Sequence, residues 1–128
     1  IKVLGGKQIR PNIHINDLVD VYLHFLKKFK LPSGSYNAGF ENLSIIEIAR
    51  KIKKITKAKI AIKKSNDPRS YRQSSQKLLK TGFTPKYNVE NAIKDIIKEY
   101  SNNKKIEDIC FTVKWMKKLK LNKMKGLK

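Results

Sequence analysis

The sequence has little cysteine, little arginine and no long apolar run, and each shortage excludes a class of protein. One cysteine among 128 residues cannot form an internal disulfide and cannot build a cysteine-rich zinc site. No apolar stretch approaches the roughly 18 to 20 residues that cross a bilayer, which excludes a transmembrane helix. Hydrophobic residues make up 40% of the chain and charged residues 31%, and this balance predicts a globular protein with a core.

The charge of the chain is large but comes almost entirely from lysine. The net charge is +20, and only four of the 30 basic residues are arginine. Proteins that read bases or grip phosphates favour arginine, because its planar fork matches those acceptors. The accompanying 16 isoleucines and 10 asparagines indicate a codon bias toward A and T, spread over ordinary surface positions. Incidental polyanion binding and specific nucleic-acid binding remain as alternatives, which no zinc-finger spacing, RNP aromatic pattern or GxxG loop strengthens.

Strand-like and helix-like segments alternate along the chain. Ser44 and Glu47 have the spacing of a capping box, Asn88 is placed to cap a later helix, and Asn16 and Asp17 offer N-cap chemistry to an earlier one. The strands are few and short, so we expect an incomplete sheet and hence a piece of a larger α/β or α+β fold. The predicted strands are Ile1–Leu4, Ile9–Ile15, Ser35–Gly39 and Lys59–Lys63, and the predicted helices are Asp17–Phe29, Ser44–Thr56, Ser74–Thr81 and Asn88–Tyr100, with a weaker segment at Ile106–Leu121.

Three stretches match segments of one enzyme family in order and spacing. Residues 6–17, GKQIRPNIHIND, resemble its Arg-x-x-x-His-Val-x-Asp segment, which leads into a helix. Residues 36–45, YNAGFENLSI, resemble its Tyr-Asn-x-Gly and Ser-Ile step, and residues 67–85 resemble its late loop, short helix and Gly-(Trp/Phe)-x-Pro turn. Over residues 1–101 the chain therefore resembles the C-terminal part of an extended short-chain dehydrogenase/reductase, of the NAD-dependent nucleotide-sugar epimerase/dehydratase type.

The resemblance implies an α/β fold that is a C-terminal fragment of a Rossmann-type enzyme. Residues 1–101 would supply the last sheet strand and a small α+β substrate domain, and residues 102–128 a basic extension. The intact protein would be a cytoplasmic, homodimeric enzyme that uses NAD to epimerise or dehydrate a nucleotide-diphosphate sugar. The glycine-rich turn that holds NAD and the catalytic Tyr-x-x-x-Lys are expected upstream, so we expect this chain alone to be inactive and to hold no catalytic residue. A formal Tyr-x-x-x-Lys at Tyr100–Lys104 is attributed to chance in a lysine-rich chain.

Three of the four arginines fall within the matching stretches, and this carries the functional prediction. Two guanidinium N–H groups can meet two phosphate oxygens, so Arg10, Arg69 and Arg72 are candidates to bind a diphosphate. The alternative is structural, an arginine paired with Asp67 or bound to a carbonyl. The resemblance implies that Asp67 and Tyr71 join them as contacts to the diphosphate and nucleoside.

The remaining candidates have weaker signals. Asn37 is a candidate to position backbone on the cofactor side of the cleft, with a turn role as its alternative. The resemblance implies that His14 is structural and hydrogen-bonded to backbone. The match of individual arginines is loose, because some relatives have an arginine where this chain has Lys64. Cys110 has no partner at a nucleophile's spacing, and we expect no metal site.

Two alternatives to the enzyme reading stay open. The chain could be a non-catalytic nucleotide-binding module or, with less support, a small basic nucleic-acid-binding protein. A stand-alone module would bind nucleoside diphosphates without an added NAD domain, whereas a nucleic-acid binder would concentrate its lysines on one face and lose affinity steeply with salt. We expect no specific nucleic acid and no membrane among the partners.

Overall fold

A computed structural model describes residues 1–28, 30–67, 69–102 and 111–119 of the chain. The chain divides into two compact units, Ile1–Ile97 and Lys98–Lys128. Helices and strands alternate through the first unit, and together they give the mixed α/β character that the sequence predicts. The strands are β1 (Lys2–Leu4), β2 (Ile9–Asn12), β3 (Glu41–Ser44) and β4 (Ala61–Lys63), and the helices are α1 (Ile15–Lys27), α2 (Ile45–Thr56), α3 (Gln76–Leu79), α4 (Val89–Ser101) and α5 (Thr112–Lys118).

The four strands form two small sheets. β1 and β4 pair in parallel, with Lys2 opposite Ala61. β2 and β3 pair antiparallel, with Ile9 opposite Ser44, so that α1 and the loop after it lie between paired strands in the sequence. The strand predicted near Lys59–Lys63 is confirmed as β4, although all three of its side chains are exposed. Both sheets are therefore short, as the sparse strand signals indicate.

Local capping chemistry sets the starts of α2 and α4. The Ser44 hydroxyl accepts from the Glu47 backbone N–H at 3.3 Å, and the Glu47 carboxylate accepts from the Ser44 backbone N–H at 2.7 Å. This is the capping box that the sequence predicts. At the start of α4, the side-chain oxygen of Asn88 accepts from the Asn91 backbone N–H at 3.0 Å, and Asn91 returns the contact at 2.9 Å. Both helix starts are thus fixed by residues three positions apart.

One buried apolar cluster of the first unit lies between α1, α3 and the segment after α3. Its buried members are Val21, Leu78 and Phe83, and Leu78 has no exposed surface. The rings of Phe40 and Phe83 stack at a centroid distance of 5.6 Å, which joins the residue before β3 to this core. Because α1 contributes one face only, its opposite face is left outside the core.

The predicted strand at Ser35–Gly39 is wrong, and the strand forms a few residues later as β3. A strand persists where its amides and carbonyls meet a partner, and residues 41–44 meet β2. Within the described residues, the backbone groups of Tyr36 and Asn37 meet no such partner. Pairing across the sheet has therefore overridden the local strand preference.

The N-cap of α1 is His14, and the predicted caps Asn16 and Asp17 are wrong. The Nδ1 atom of His14 accepts from the Asn16 backbone N–H at 3.2 Å, and α1 begins immediately after His14. Asp17 lies inside the helix with no exposed surface, and its carboxylate accepts from the backbone N–H groups of Lys86 at 2.9 Å and Tyr87 at 3.1 Å. Although Asp17 lies in the first turn of α1, its carboxylate bonds to this distant segment.

The described part of the second unit contains α5, within the segment for which the sequence gives a weak helical signal. Cys110 and Lys104, about which the sequence allowed predictions, lie outside the described residues. In the ranges that the structure describes, no helix has both the length and the apolarity needed to cross a membrane.

Candidate functional site

The loop after β4 lies along β2 and brings the predicted site residues together. The Tyr71 backbone N–H donates to the Ile9 carbonyl at 3.0 Å, and the Ile9 backbone N–H donates to the Ser70 hydroxyl at 2.9 Å. These bonds fasten residues about 60 positions apart in the chain. Since Arg10 follows Ile9 in β2, its guanidinium reaches the loop that carries Asp67.

The carboxylate of Asp67 is the centre of this cluster. Arg69 donates from Nε to one carboxylate oxygen at 2.7 Å and from Nη2 to the other at 3.1 Å, while its backbone N–H donates at 3.1 Å. Arg10 donates from Nη2 to Asp67 at 3.4 Å. Two arginines from different elements thus share one carboxylate, which we call the Asp67 cluster together with Tyr71.

Arg10 is held on several sides. Its Nη1 atom donates to the Ile9 carbonyl at 2.9 Å and to the Arg69 carbonyl at 2.8 Å. Its guanidinium carbon lies 5.1 Å from the centre of the Tyr71 ring, within range of a cation–π contact. The side chain of Arg10 is 29% exposed and that of Arg69 is 67% exposed, so Arg10 is fixed and Arg69 faces solvent.

The Asp67 cluster keeps a positive charge. The hydrogen bonds from Arg69, and then the positive charges of Arg69 and Arg10, lower the pKa of Asp67 from 3.8 to about 2. The carboxylate is therefore ionised at neutral pH, and its single negative charge offsets one of the two guanidinium charges. The remaining positive charge and the 67% exposure of the Arg69 side chain suit an anionic ligand.

An open cavity of about 440 Å³ begins at Asp67. Gln8 forms one wall: its Oε1 accepts from the Gly6 backbone N–H at 2.7 Å, and its Nε2 donates to the Asp67 carbonyl at 3.4 Å. Gly5 has a φ of +75°, in the left-handed region that favours glycine, and a Cβ there would lie 2.5 Å from the movable end of the Gln8 side chain. The cavity is lined by Gly5, Lys7, Gln8, Ser65, Asp67 and Ser70.

Two of the predicted site residues lie outside the Asp67 cluster. Among the described residues, Arg72 makes no hydrogen bond or ion pair with it. The charge of Arg72 acts instead on Glu47, where it is a minor cause of a pKa lowered chiefly by hydrogen bonds from Ser44. Asn37 is exposed and donates from Nδ2 to the Ser74 carbonyl at 3.3 Å, on the segment before α3.

No protein-family model matches the sequence. Among solved structures, RMD from Pseudomonas aeruginosa complexed with NADPH matches with a TM-score of 0.69 and 17% identity, over 81% of this chain and 36% of that chain. The Helicobacter pylori ADP-L-glycero-D-manno-heptose-6-epimerase matches with a TM-score of 0.62 and 25% identity, over 77% of this chain and 32% of that chain. Both are extended short-chain dehydrogenases/reductases.

This chain has the fold of part of an extended short-chain dehydrogenase/reductase. The family resemblance and the α/β fold class that the sequence predicts are thereby confirmed. The chain spans about a third of the length of each solved relative.

The Gly5–Gly6 turn does not have the form of turn that binds a dinucleotide cofactor. A dinucleotide pyrophosphate is cradled where a glycine-rich turn opens a helix, because helix N-terminal N–H groups point at the phosphates. Gly5 and Gly6 lead instead into β2, which pairs with β3 and does not begin a helix. In the part of the chain described, no group of three or more His, Cys, Asp and Glu side chains could hold a metal ion.

Sequence reasoning missed a second, buried set of contacts in the first unit. His14 is buried, its Nε2 atom lies 3.2 Å from Asp95, and its ring stacks on Tyr87 at 4.6 Å. Asp17 holds the same Tyr87 through the backbone. The expectation that His14 is structural and bonded to backbone is met, while the role of Asp17 had no local signal because its partners lie some 70 residues away.

Proposed function

We propose that this chain is the C-terminal, substrate-binding portion of a cytoplasmic, homodimeric, nicotinamide-dependent nucleotide-sugar epimerase or dehydratase. In this proposal Arg10 and Arg69 bind the diphosphate of the nucleotide sugar. The reaction itself belongs to a catalytic tyrosine and lysine outside this chain. The names of the two solved relatives, one complexed with NADPH and the other a heptose 6-epimerase, support this class of activity.

The observation that carries the proposal is the meeting of Arg10 and Arg69 on one carboxylate. These are two of only four arginines in the chain, and they come from β2 and from a loop 59 residues further on. Arginine offers paired donors that match two oxygens of a diphosphate, which lysine does not. Asp67, the carboxylate on which they converge, lines an open cavity of about 440 Å³ together with Lys7, and this cavity is the space that we propose for the ligand.

In this proposal Asp67 and Tyr71 position the two arginines that bind the diphosphate. An ionised carboxylate repels a diphosphate, so Asp67 serves the ligand by orienting Arg69, with any direct contact made to hydroxyl groups of the nucleoside. Tyr71 is 50% exposed and lies under the Arg10 guanidinium, so its outer face is open to stack on a nucleobase. Arg72 as a diphosphate contact and Asn37 on the cofactor side stay predictions, and within the described residues neither side chain contacts the Asp67 cluster.

NAD or NADP is held mainly by the part of the enzyme outside this chain. That group supplies hydride transfer when it is bound, and the residues described here do not form its pyrophosphate cradle. The coding region upstream of Ile1 is expected to encode a glycine-rich turn and a Tyr-x-x-x-Lys. An upstream region without a βαβ pattern would contradict the enzyme assignment.

Calorimetry tests the diphosphate site directly. The purified chain is titrated with ADP, UDP and GDP. We expect Arg69→Gln to lower the affinity for the nucleotide by about tenfold, because charge-assisted hydrogen bonds are lost. Arg50→Gln is the matched control, because Arg50 is an exposed arginine on α2 outside the cluster.

The outcomes separate a site from general attraction to polyanions. Binding that Arg69→Gln weakens and Arg50→Gln spares supports the diphosphate site, both for part of an enzyme and for a stand-alone nucleotide-binding module. Equal losses in both variants, together with a steep fall in affinity with salt, would show that the net charge of +20 alone attracts the nucleotide. Absence of any Arg69-dependent binding would overturn the diphosphate site.

A further inference from the structure

The chain ends in a segment that is rich both in lysine and in large apolar residues. Seven of residues 111–128 are lysine and none is acidic, so this segment carries more positive charge per residue than the chain as a whole. It also holds Trp115, the single tryptophan of the chain. Lysine alone suits any polyanion, whereas lysine interleaved with large apolar residues is typical of segments that lie at a membrane surface.

The helix α5 places apolar and basic residues on different sides. Its geometry extends from Phe111 to Leu119, because the Trp115 backbone N–H donates to the Phe111 carbonyl at 2.9 Å and the Leu119 backbone N–H donates to the Trp115 carbonyl at 3.0 Å. Phe111, Trp115 and Leu119 are four residues apart and therefore lie on one side, with Met116 beside Leu119. Lys117 is exposed and lies two residues from both Trp115 and Leu119, on the opposite side.

The apolar side of α5 is open to solvent over much of its area. Phe111 and Met116 are each 43% exposed, and Leu119 is 49% exposed. Val113, at the border with the basic side, is 67% exposed. Large apolar side chains that are exposed together on one short helix mark a contact surface. We call this surface the α5 apolar face: Phe111, Val113, Trp115, Met116 and Leu119.

We propose that α5 binds the surface of an anionic lipid bilayer, with the α5 apolar face inserted below the head groups. The negative head groups attract the lysines, and the hydrocarbon beneath them accepts the apolar side chains. Basic clusters of about four to eight residues on or beside an amphipathic helix bind such membranes, and residues 111–128 contain seven lysines.

The proposal departs from the expectation that no membrane is among the partners. That expectation rests on the lack of an apolar run long enough to span a bilayer, and a helix that lies on the surface needs no such run. The proposal is also independent of the nucleotide site, since α5 belongs to the second unit and the Asp67 cluster to the first.

Other occupants fit α5 less well. A nucleic acid offers phosphates to the lysines and bases to the aromatic rings, but it has no hydrocarbon layer for Val113, Met116 and Leu119. A second copy of this chain brings the same net charge of +20, and the repulsion between the two copies opposes close contact. A covering surface elsewhere in the reductase would have to accept several lysines close to the apolar face, and lysine is seldom buried.

The fluorescence of Trp115 tests the proposal directly, because no other tryptophan in the chain contributes to it. The 128-residue chain is mixed with vesicles of phosphatidylcholine alone or of phosphatidylcholine and phosphatidylglycerol in equal parts. We expect a blue shift with the anionic vesicles only, and quenching by lipids brominated on their acyl chains, because the ring enters the hydrocarbon. The absence of a shift with anionic vesicles, or a shift that brominated chains do not quench, would overturn the proposal.

A pair of charge variants separates α5 from the charge of the whole chain. Each variant replaces three lysines by glutamine, in α5 for the test and at exposed positions of the first unit for the control: Lys114→Gln, Lys117→Gln and Lys118→Gln in the test, and Lys53→Gln, Lys54→Gln and Lys59→Gln in the control. The two variants have equal net charge. We expect the α5 variant to bind anionic vesicles at least about tenfold more weakly than the control. Equal affinities would overturn the proposal.

A pair of apolar variants tests insertion at constant charge. Met116→Gln combined with Leu119→Gln should lower the affinity for anionic vesicles by about tenfold, because less apolar surface leaves water. The control combines Ile62→Gln with Ile96→Gln, at isoleucines of the first unit that are 62% and 68% exposed, and it should bind as the unchanged chain does. Unchanged binding by the α5 variant would overturn the proposal.

The full product of the coding region, upstream sequence included, tests the remaining occupants. We expect it to sediment with anionic vesicles as the 128-residue chain does. Loss of this binding in the full product would show that its upstream part covers α5, and would overturn the proposal. Tighter binding to an oligothymidylate than to the vesicles, weakened more by the α5 lysine variant than by its control, would overturn it in favour of a nucleic acid. None of these measurements involves a nucleoside diphosphate, so a failed diphosphate site would leave them unchanged.

Discussion

Asp17 and Asp67 each accept several hydrogen bonds, and they do so in opposite surroundings. Asp17 has no exposed surface and accepts from two backbone N–H groups of the Lys86–Tyr87 segment. Asp67 has a side chain that is 29% exposed and accepts mainly from the guanidinium groups of Arg69 and Arg10. The Asp17 carboxylate joins α1 to a distant loop, and the Asp67 carboxylate binds two guanidinium groups at the edge of a cavity.

The difference shows how burial decides the use of a carboxylate. A buried acceptor that loses its donors leaves them unsatisfied away from water, so its bonds hold the fold. An exposed acceptor can exchange its donors with water at little cost, so its bonds order mobile side chains and contribute little to stability. The two aspartates therefore make different predictions under mutation.

Asp17→Ala should have the largest effect. The substitution removes both acceptors of the Lys86 and Tyr87 amides and leaves a cavity, and we expect it to lower the free energy of unfolding by about 2 to 4 kcal/mol. Urea denaturation followed by circular dichroism measures this change. Asp17→Asn keeps the size and one acceptor oxygen, and it should lose about half as much. If Asp17→Ala lowers the free energy of unfolding no more than alanine at an exposed aspartate does, Asp17 does not hold α1 to the Lys86–Tyr87 segment.

His14→Phe should have an intermediate effect. Phenylalanine keeps the ring that stacks on Tyr87 but removes the Nδ1 acceptor that caps α1 and the Nε2 contact with the exposed Asp95, so we expect a loss of about 1 kcal/mol in the free energy of unfolding. His14→Asn supplies a capping oxygen without the ring, and comparison of the two variants separates the cap from the stacking. A loss as large as that of Asp17→Ala would show that His14 stabilises the fold as much as Asp17 does.

Asp67→Asn should have the smallest effect on stability at neutral pH and a clear effect in acid. The folded-state pKa of Asp67 is lowered from 3.8 to about 2 by its arginine partners, so its contribution is complete above about pH 4 and is lost as the pH falls toward 2. We expect the asparagine variant to lack this part of the acid dependence. Unfolding midpoints measured from pH 6 to pH 2 test this, and parallel curves for the two proteins would contradict it.

The features that the sequence predicted correctly are set by neighbours within a few positions. The Ser44–Glu47 capping box and the Asn88 cap need only residues three apart, and both are confirmed. The meeting of Arg10 with the Asp67 loop had no local signal: the scarcity of arginine suggested candidates for a diphosphate site, and the resemblance to a family suggested that Asp67 and Tyr71 belong with them.

The features that the sequence missed depend on partners far along the chain. The role of Asp17 follows from the position of Tyr87, and β3 forms where it does because β2 lies opposite. His14 was missed as a cap because histidine is not among the residues that usually start helices, although its Nδ1 atom can accept like an asparagine oxygen. Local propensity cannot anticipate such contacts between distant residues.

The parallel register of β1 with β4 has a consequence for the order of folding. Pairing Lys2 with Ala61 closes a loop of nearly sixty residues, and such closure costs more chain entropy than the shorter loop between β2 and β3. We therefore expect the antiparallel sheet and the helices beside it to assemble early and the first strand to be captured last.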